Sequence, residues 1–430
     1  MKQLLAIPFL FLGMLTSLVM AGDAWPQFRG SQASGIAHGQ NLPESWDVKT
    51  SKNLAWKREI PGQSNASPII WDQRVFIVTA IGGAGNPQTH SWEVWSIHLQ
   101  SGEVLWREVA HSATADPNRR IYDAYAHSTP VTDGKVVVAL FGSEGIHTYS
   151  VTGKKLWSKS LGTLNVGAYN DINNEWGHAS SPILENGILY FQCDTANADF
   201  LVAMDSMTGK EIWRVVRDEL PSWGTPTFVP GTPSEIITNG SNLIRGYHAT
   251  TGEELWRLGG SSKQTLPTPV FSQNLILVAS GEHPIRPIFA IKRGERGDLT
   301  LDDGKTSGSG VAWSKKDRGA YAATPIIVGD LVYSIHGFDE LDCYELATGA
   351  EVYRDRLPNH GGGFTASPVS ADGMLYFCNE GGDIFTVPVG RNFKITATNT
   401  IEEPIMATPA IAQGTLILRG NQHLYAIRKP

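Results

Sequence analysis

The sequence predicts an all-β fold: an eight-bladed β-propeller of four-stranded antiparallel blades, closed by an N-terminal strand around Trp56 that joins the last blade. Three observations carry this. A Ser-Gly or Thr-Gly turn is followed four residues later by an aromatic at Trp106, Trp157, Trp213, Trp256 and Tyr353, with a looser copy ending at Trp313. Eight Ser-Pro or Thr-Pro pairs head short apolar runs at Ser67, Thr129, Ser181, Thr225, Thr268, Thr324, Ser367 and Thr408, spaced by 62, 52, 44, 43, 56, 43 and 41 residues. Strand-rich units of about forty residues mark a propeller or a similar array. Finally, the last copy offers three strands before the chain stops, whereas "NLAWKRE" around Trp56 precedes the first Ser-Pro strand. Sharing one blade between the two ends leaves no strand edge open.

In chain order, residues 1–21 read as a secretory signal: one lysine, an apolar run from Leu4 to Met20, and Val19-Met20-Ala21 where a signal peptidase cuts. An uncleaved anchor is the competing reading, because the run approaches membrane-spanning length. Residues 22–52 are an N-terminal extension and 53–430 a single ring. Within the ring, 178–217 reads as "SSPIL", "ILYFQC", "FLVAMD" and "KEIWRVV", four strands joined by tight turns at "ENG" and Thr208-Gly209. Proline at the head of the first strand costs no interior ladder bond. Glycine supplies the turn's positive φ, and each tryptophan is expected to dock its strand on the neighbouring unit. No stretch has a helical period with capping signals.

The bulk composition agrees. Of 430 residues, 41% are hydrophobic and 18% charged, and 45 glycines and 24 prolines are scattered as turn punctuation, so disorder is not expected. A net charge of −7 without a dense basic run argues against a nucleic-acid partner. Cys193, Cys343 and Cys378 lie far apart in apolar runs and read as buried free thiols. There is no phosphate-binding glycine loop, paired-cysteine zinc pattern or Gly-x-Ser-x-Gly elbow.

The Thr-Gly turn with its docking tryptophan resembles the repeat of the pyrroloquinoline quinone (PQQ) propeller superfamily, over about residues 53–428. One branch of it, the quinoprotein alcohol dehydrogenases, holds the quinone and a calcium ion over the ring. Another includes the non-catalytic lipoprotein of the outer-membrane β-barrel assembly machinery. The chain lacks the adjacent cysteine pair of many such dehydrogenases and a lipidation cysteine after its apolar run. Its "WPQFRG" opening and its length are most similar to exported PQQ-like propellers of environmental bacteria. The resemblance implies an exported protein that binds an envelope protein or a small-molecule or glycan ligand. It leaves PQQ and calcium as open cofactors.

In such a blade the links between blades and the second-to-third turns share one face. Long insertions at 81–91, 110–126 and 162–179 fall on that face in the first three blades, where loops on a rigid ring usually bind. Three readings compete there. Asp171, Asn174 and Glu175 are oxygen donors of the calcium type. Tyr125, His127, Glu175 and His178, with Arg119 and Arg120, can supply acid, base and charge neutralisation for a sugar, with Trp176 as a stacking platform. Alternatively Tyr122, Asp123, Asn170, Asn173, Asn174 and their neighbours contact a protein. His283, Arg286, Asp317, Arg318, Tyr321, His360, Glu402 and Glu403 are expected to complete the rim. The insertion 293–310, with Asp298, Asp302 and Asp303, maps to the opposite face and reads as a solvated excursion.

Overall fold

The computed structural model describes residues 24–82, 89–114, 125–168, 171–281, 285–336, 338–359 and 362–430, with backbone alone at 168 and 171–174. The signal segment 1–21, and Arg119, Arg120, Tyr122, Asp123, Asn170, His283 and His360, lie outside them.

Eight antiparallel sheets follow one another around a ring, at 69–114, 131–159, 183–216, 227–259, 270–315, 326–356, 369–400 and 410–427; they are blades 1 to 8. Blade 3 shows the logic. Its strands are Ile183–Glu185, Ile188–Cys193, Phe200–Asp205 and Glu211–Val216. The first reversal is Asn186-Gly187, both at positive φ (52° and 78°), the chemistry of a two-residue hairpin. The middle strands are almost continuously buried because blades pack on both their faces. The outermost alternates half-buried and exposed residues, one face on the next blade. Blade 8 supplies three strands of its own, and Leu54–Glu59 completes it, with Trp56 opposite Ala426. The chain's two ends therefore close the ring.

The repeated turn and tryptophan act between blades. Trp56, Trp106, Trp157, Trp213 and Trp313 lie on the turn glycines of the following blade, Gly102, Gly153, Gly209, Gly252 and Gly349. A Cβ on any of these glycines would approach the indole to between 2.6 and 2.9 Å, and each holds φ between 67° and 95°. Each indole also donates to a carbonyl just before that glycine: Leu99, Val151, Ser206, Ala249 and Leu346.

Two units differ from expectation. Trp256 faces a blade whose third-to-fourth turn is the insertion 293–310, so it finds no docking glycine. It turns into its own blade over Gly246, and its Nε1 donates to Glu235 Oε2 at 2.8 Å. The insertion is correspondingly not a mere solvated excursion. Gly297–Asp298 pairs in parallel with Trp256 and Arg257 as a fifth strand of blade 4, and Leu299 is buried against that blade. Tyr353, likewise without a docking glycine, packs on Phe393 and Tyr333.

Residues 24–42 form a strap across the face of the first-to-second turns, and 43–52 run along the outer strand of blade 7, where Trp46 N–H donates to Asn399 Oδ1. Trp25 bridges Ile70, Ile36–Ala37 adds a parallel strand to blade 7, and Asp372 accepts the N–H groups of Gly39, Gln40 and Asn41.

Candidate functional site: the central channel and its mouth

Each blade begins at the axis with the same short phrase, and alternation along an extended chain sorts its residues. Ser67, Thr129, Ser181, Thr225, Thr268, Thr324, Ser367 and Thr408 line the channel; the residues just before them, Ala66, Ser128, Ser180, Gly224, Pro267, Ala323, Ala366 and Ala407, are small and turned into the blades. The eight hydroxyl residues form a ring. Around it the backbone N–H of one blade donates to the hydroxyl of the next, at 2.9 to 3.0 Å, from Ser67 through Thr129 and Ser181 to Thr225, and from Thr268 through Thr324, Ser367 and Thr408 back to Ser67. Between blades 4 and 5 the link is replaced. Asn239 Nδ2 donates there to Pro267 O and Ala279 O, beside bonds from Trp223 and Gly224 N–H to Thr265 O like those from Asn65 and Ala66 to Ala126 O between blades 1 and 2. Thr268 Oγ1 has no partner among the described residues.

Two residues before each ring position, a second tier lines the mouth on the inter-blade-link face: Asn65, His127, Ala179, Trp223, Leu266, Ala322, Thr365 and Met406. This tier does not repeat. Trp176 fills the space above Ala179 and stacks on Trp223, with centroids 5.3 Å apart and planes 34° apart; Trp223 is locked by Nε1 donating to Gly177 O at 2.9 Å. Tyr321 stands beside Ala322, its hydroxyl donating to Gln264 Oε1. Asn65 Nδ2 faces His127 Nδ1 at 3.4 Å, and Thr365 donates its hydroxyl to Glu380.

The opposite end is sealed by the strap. Phe28 forms the floor of the cavity, which encloses about 330 Å³. Beneath it Arg29, fully buried, is held by the carbonyls of Ala33, Ser34, Thr324, Pro325 and Pro368, and burial lowers its pKa to about 9. Arg29 adopts φ of 62°, a conformation that non-glycine residues take only where surrounding contacts impose it. The "WPQFRG" phrase is thus a plug.

The sequence-predicted residues divide. His127 and Trp176 line the cavity together with Tyr321. Tyr125 does not: it packs on His90 at 4.7 Å, and its carbonyl accepts from Trp92 Nε1. Glu175 and His178, expected on an open loop, are only 3% and 7% exposed; Glu175 pairs with Gly167 in a short hairpin, and His178 packs against blades 2 and 3. His178 there meets Ser128 Oγ, Gln192 O and Cys193 Sγ. The side chains of Asp171, Asn173 and Asn174 are outside the description. Arg286 and Asp317 form an isolated parallel backbone bridge with each other, Arg318 lies beside Asp317, Glu402 pairs with Lys49, and Glu403 holds His423. The three cysteines are buried free thiols, and burial raises their pKa values, to about 12 at Cys343 and Cys378. Reading the sequence missed the second tier itself. Its signal was present two residues before every Ser/Thr-Pro pair.

A tricarboxylate quinone with calcium needs cations for its carboxylates and acidic oxygens for the metal. Among the described residues the cavity lining has neither, and no group of three His, Cys, Asp or Glu converges. The described lining therefore does not fit that pair.

Residues 45–191 and 197–429 match the family model described as outer membrane protein assembly factor BamB. No curated protein matches the chain. Among solved structures, BamB from Moraxella catarrhalis is similar with a TM-score of 0.60 at 10% identity, covering 87% of this chain and 99% of that one. The quinohemoprotein alcohol dehydrogenase from Comamonas testosteroni gives 0.66 at 10% identity, over 96% and 81%. A europium-containing methanol dehydrogenase gives 0.65 at 10% identity, over 94% and 90%. These likenesses concern the fold.

Proposed function

Because the chain belongs to the family of PQQ-like propellers described as outer membrane protein assembly factor BamB, we propose that it is an exported binding propeller whose working site is the channel mouth on the inter-blade-link face. The observation that carries this is the non-repeating tier above the hydroxyl ring: the ring ties neighbouring blades at seven of the eight junctions, while the side chains of Asn65, His127, Trp223, Leu266 and Met406 differ from blade to blade. A concave, mainly apolar cavity with a few convergent polar groups is the usual form of a ligand site. The signal-like residues 1–21 and the outer-membrane assembly factor for which the family is described support export. Binding is favoured over catalysis because only His127, of the four acid–base candidates, reaches the cavity.

The mature protein, immobilised and exposed to solubilised envelope, should retain a ligand fraction that Trp176→Ala and Ala322→Trp lose and Asp303→Ala, on the opposite face, keeps. Retention indifferent to both mouth substitutions, or lost only with Asp303→Ala, overturns the assignment of the working face.

A further inference from the structure

Resting on that reading, we infer that the channel mouth takes the terminal ring of a neutral glycan, end-on, with the pyranose against the Trp176–Trp223 pair. The shape comes first. A cavity of about 330 Å³ has one open end, because Phe28 closes the other over the buried Arg29. A polymer cannot thread through it; only a chain end or a small molecule can enter.

Charge and polarity narrow the class. The described lining contains no carboxylate, lysine or arginine, so an ionic ligand would lose hydration without gaining a partner. A wholly apolar ligand would cover Asn65, His127 and Thr365 and take water from them without replacement. A pyranose has what the mouth lacks: an apolar face of C–H groups for an indole, and a rim of hydroxyls that both donate and accept. Trp223 is held by its bond to Gly177 O and by Trp176 across it, so the aromatic surface is pre-organised and little side-chain entropy remains to be lost on binding. Asn65, His127, Thr365 and Tyr321 stand around the same mouth at the height of the second tier. The small Ala322 leaves the room that a larger side chain would fill.

The test uses the mature full-length chain, titrated with maltose, cellobiose and lactose by calorimetry and tryptophan fluorescence, with galacturonic acid and indole as charged and apolar comparators. At least one disaccharide should saturate at a 1:1 ratio with a change in tryptophan emission. Trp176→Ala should weaken that binding roughly tenfold or more, the loss typical of an aromatic anchor. Ala322→Trp should abolish it with an unchanged melting temperature, while Trp157→Phe, between blades 2 and 3, leaves it intact. No saturation by any of the three disaccharides, preference for galacturonic acid or indole, or binding that survives Ala322→Trp overturns the inference. If the sugars fail while envelope ligand is still lost with Ala322→Trp, the ligand class is wrong and the working face stands. If that retention is also indifferent to Ala322→Trp, both fall.

Discussion

At the scale of single residues, the same tryptophan means two things. Trp157 and Trp213 are legible as structural from the turn four residues before them, and the structure explains why glycine and tryptophan recur together: each indole occupies the space a Cβ on the next blade's glycine would need. Trp157→Ala or Trp213→Ala should lower stability by about 3–5 kcal/mol, the usual loss for a packed aromatic. Gly209→Ala should be destabilising as well, from its φ of 69° and a 2.8 Å approach to Trp157. Chemical denaturation checks all three, and a Gly209→Ala protein as stable as the parent would contradict the docking. Trp176 carries no such turn, and nothing local in the sequence distinguishes it from any other loop tryptophan; Trp223, one position before Gly224, is equally silent. Asp342 offers a second residue-scale expectation. Although burial works to raise its pKa, hydrogen bonds from His336, Tyr344 and Arg354 hold it down to about 2. A carboxylate whose folded pKa is depressed contributes stability above its unfolded value, lost as pH falls through the folded one. The parent should therefore lose on the order of 2 kcal/mol between about pH 4 and pH 2 from this group. Asp342→Asn should be less stable at neutral pH and lack that share of the acid slope, which melting curves across the range resolve.

Strands and turns were the most readable level. Period-two alternation, Asn-Gly and Thr-Gly reversals and the proline at each strand head are local signals, because hairpin geometry depends on neighbours in sequence. The strap was not readable in this way. Residues 24–52 contain only a three-residue 3-10 turn and a two-residue strand and are held by contacts hundreds of positions away, such as Arg29 on Pro325 and Pro368 or Gly39 on Asp372. The insertion 293–310 was misread for the same reason, since its fifth strand pairs with a blade it does not belong to. Two truncations separate these elements. Starting the chain at residue 53 removes the strap but keeps Leu54–Glu59 in blade 8, so it should fold with a lower melting temperature. Starting it at residue 60 also removes the closing strand, exposes the edge of His423–Ile427 and should lower the midpoint much further or leave the protein aggregated. Equal midpoints for the two would show that Leu54–Glu59 does not hold the ring shut.

For the whole molecule, the repeat period and the mismatched ends sufficed to count the blades, because a closed ring must pair its last edge with something. Among the described residues no helix is long and apolar enough to cross a membrane, and the signal-like segment predicts a mature chain starting near Gly22. N-terminal sequencing of exported protein checks this, and recovery only in membranes with Met1 intact would refute it. What the sequence by itself determined is the part that repeats: fold class, blade count, closure and the pairing of turn with tryptophan, all written in short-range patterns copied along the chain. Only the tertiary structure decided which of the polar loop residues reach the axis, that Glu175 and His178 are buried, and that Phe28 and Arg29 stop the channel. The physical reason is convergence: the mouth is built from one residue per blade, about forty or more positions apart, and the ring's closure, not any local preference, brings them within reach of one ligand.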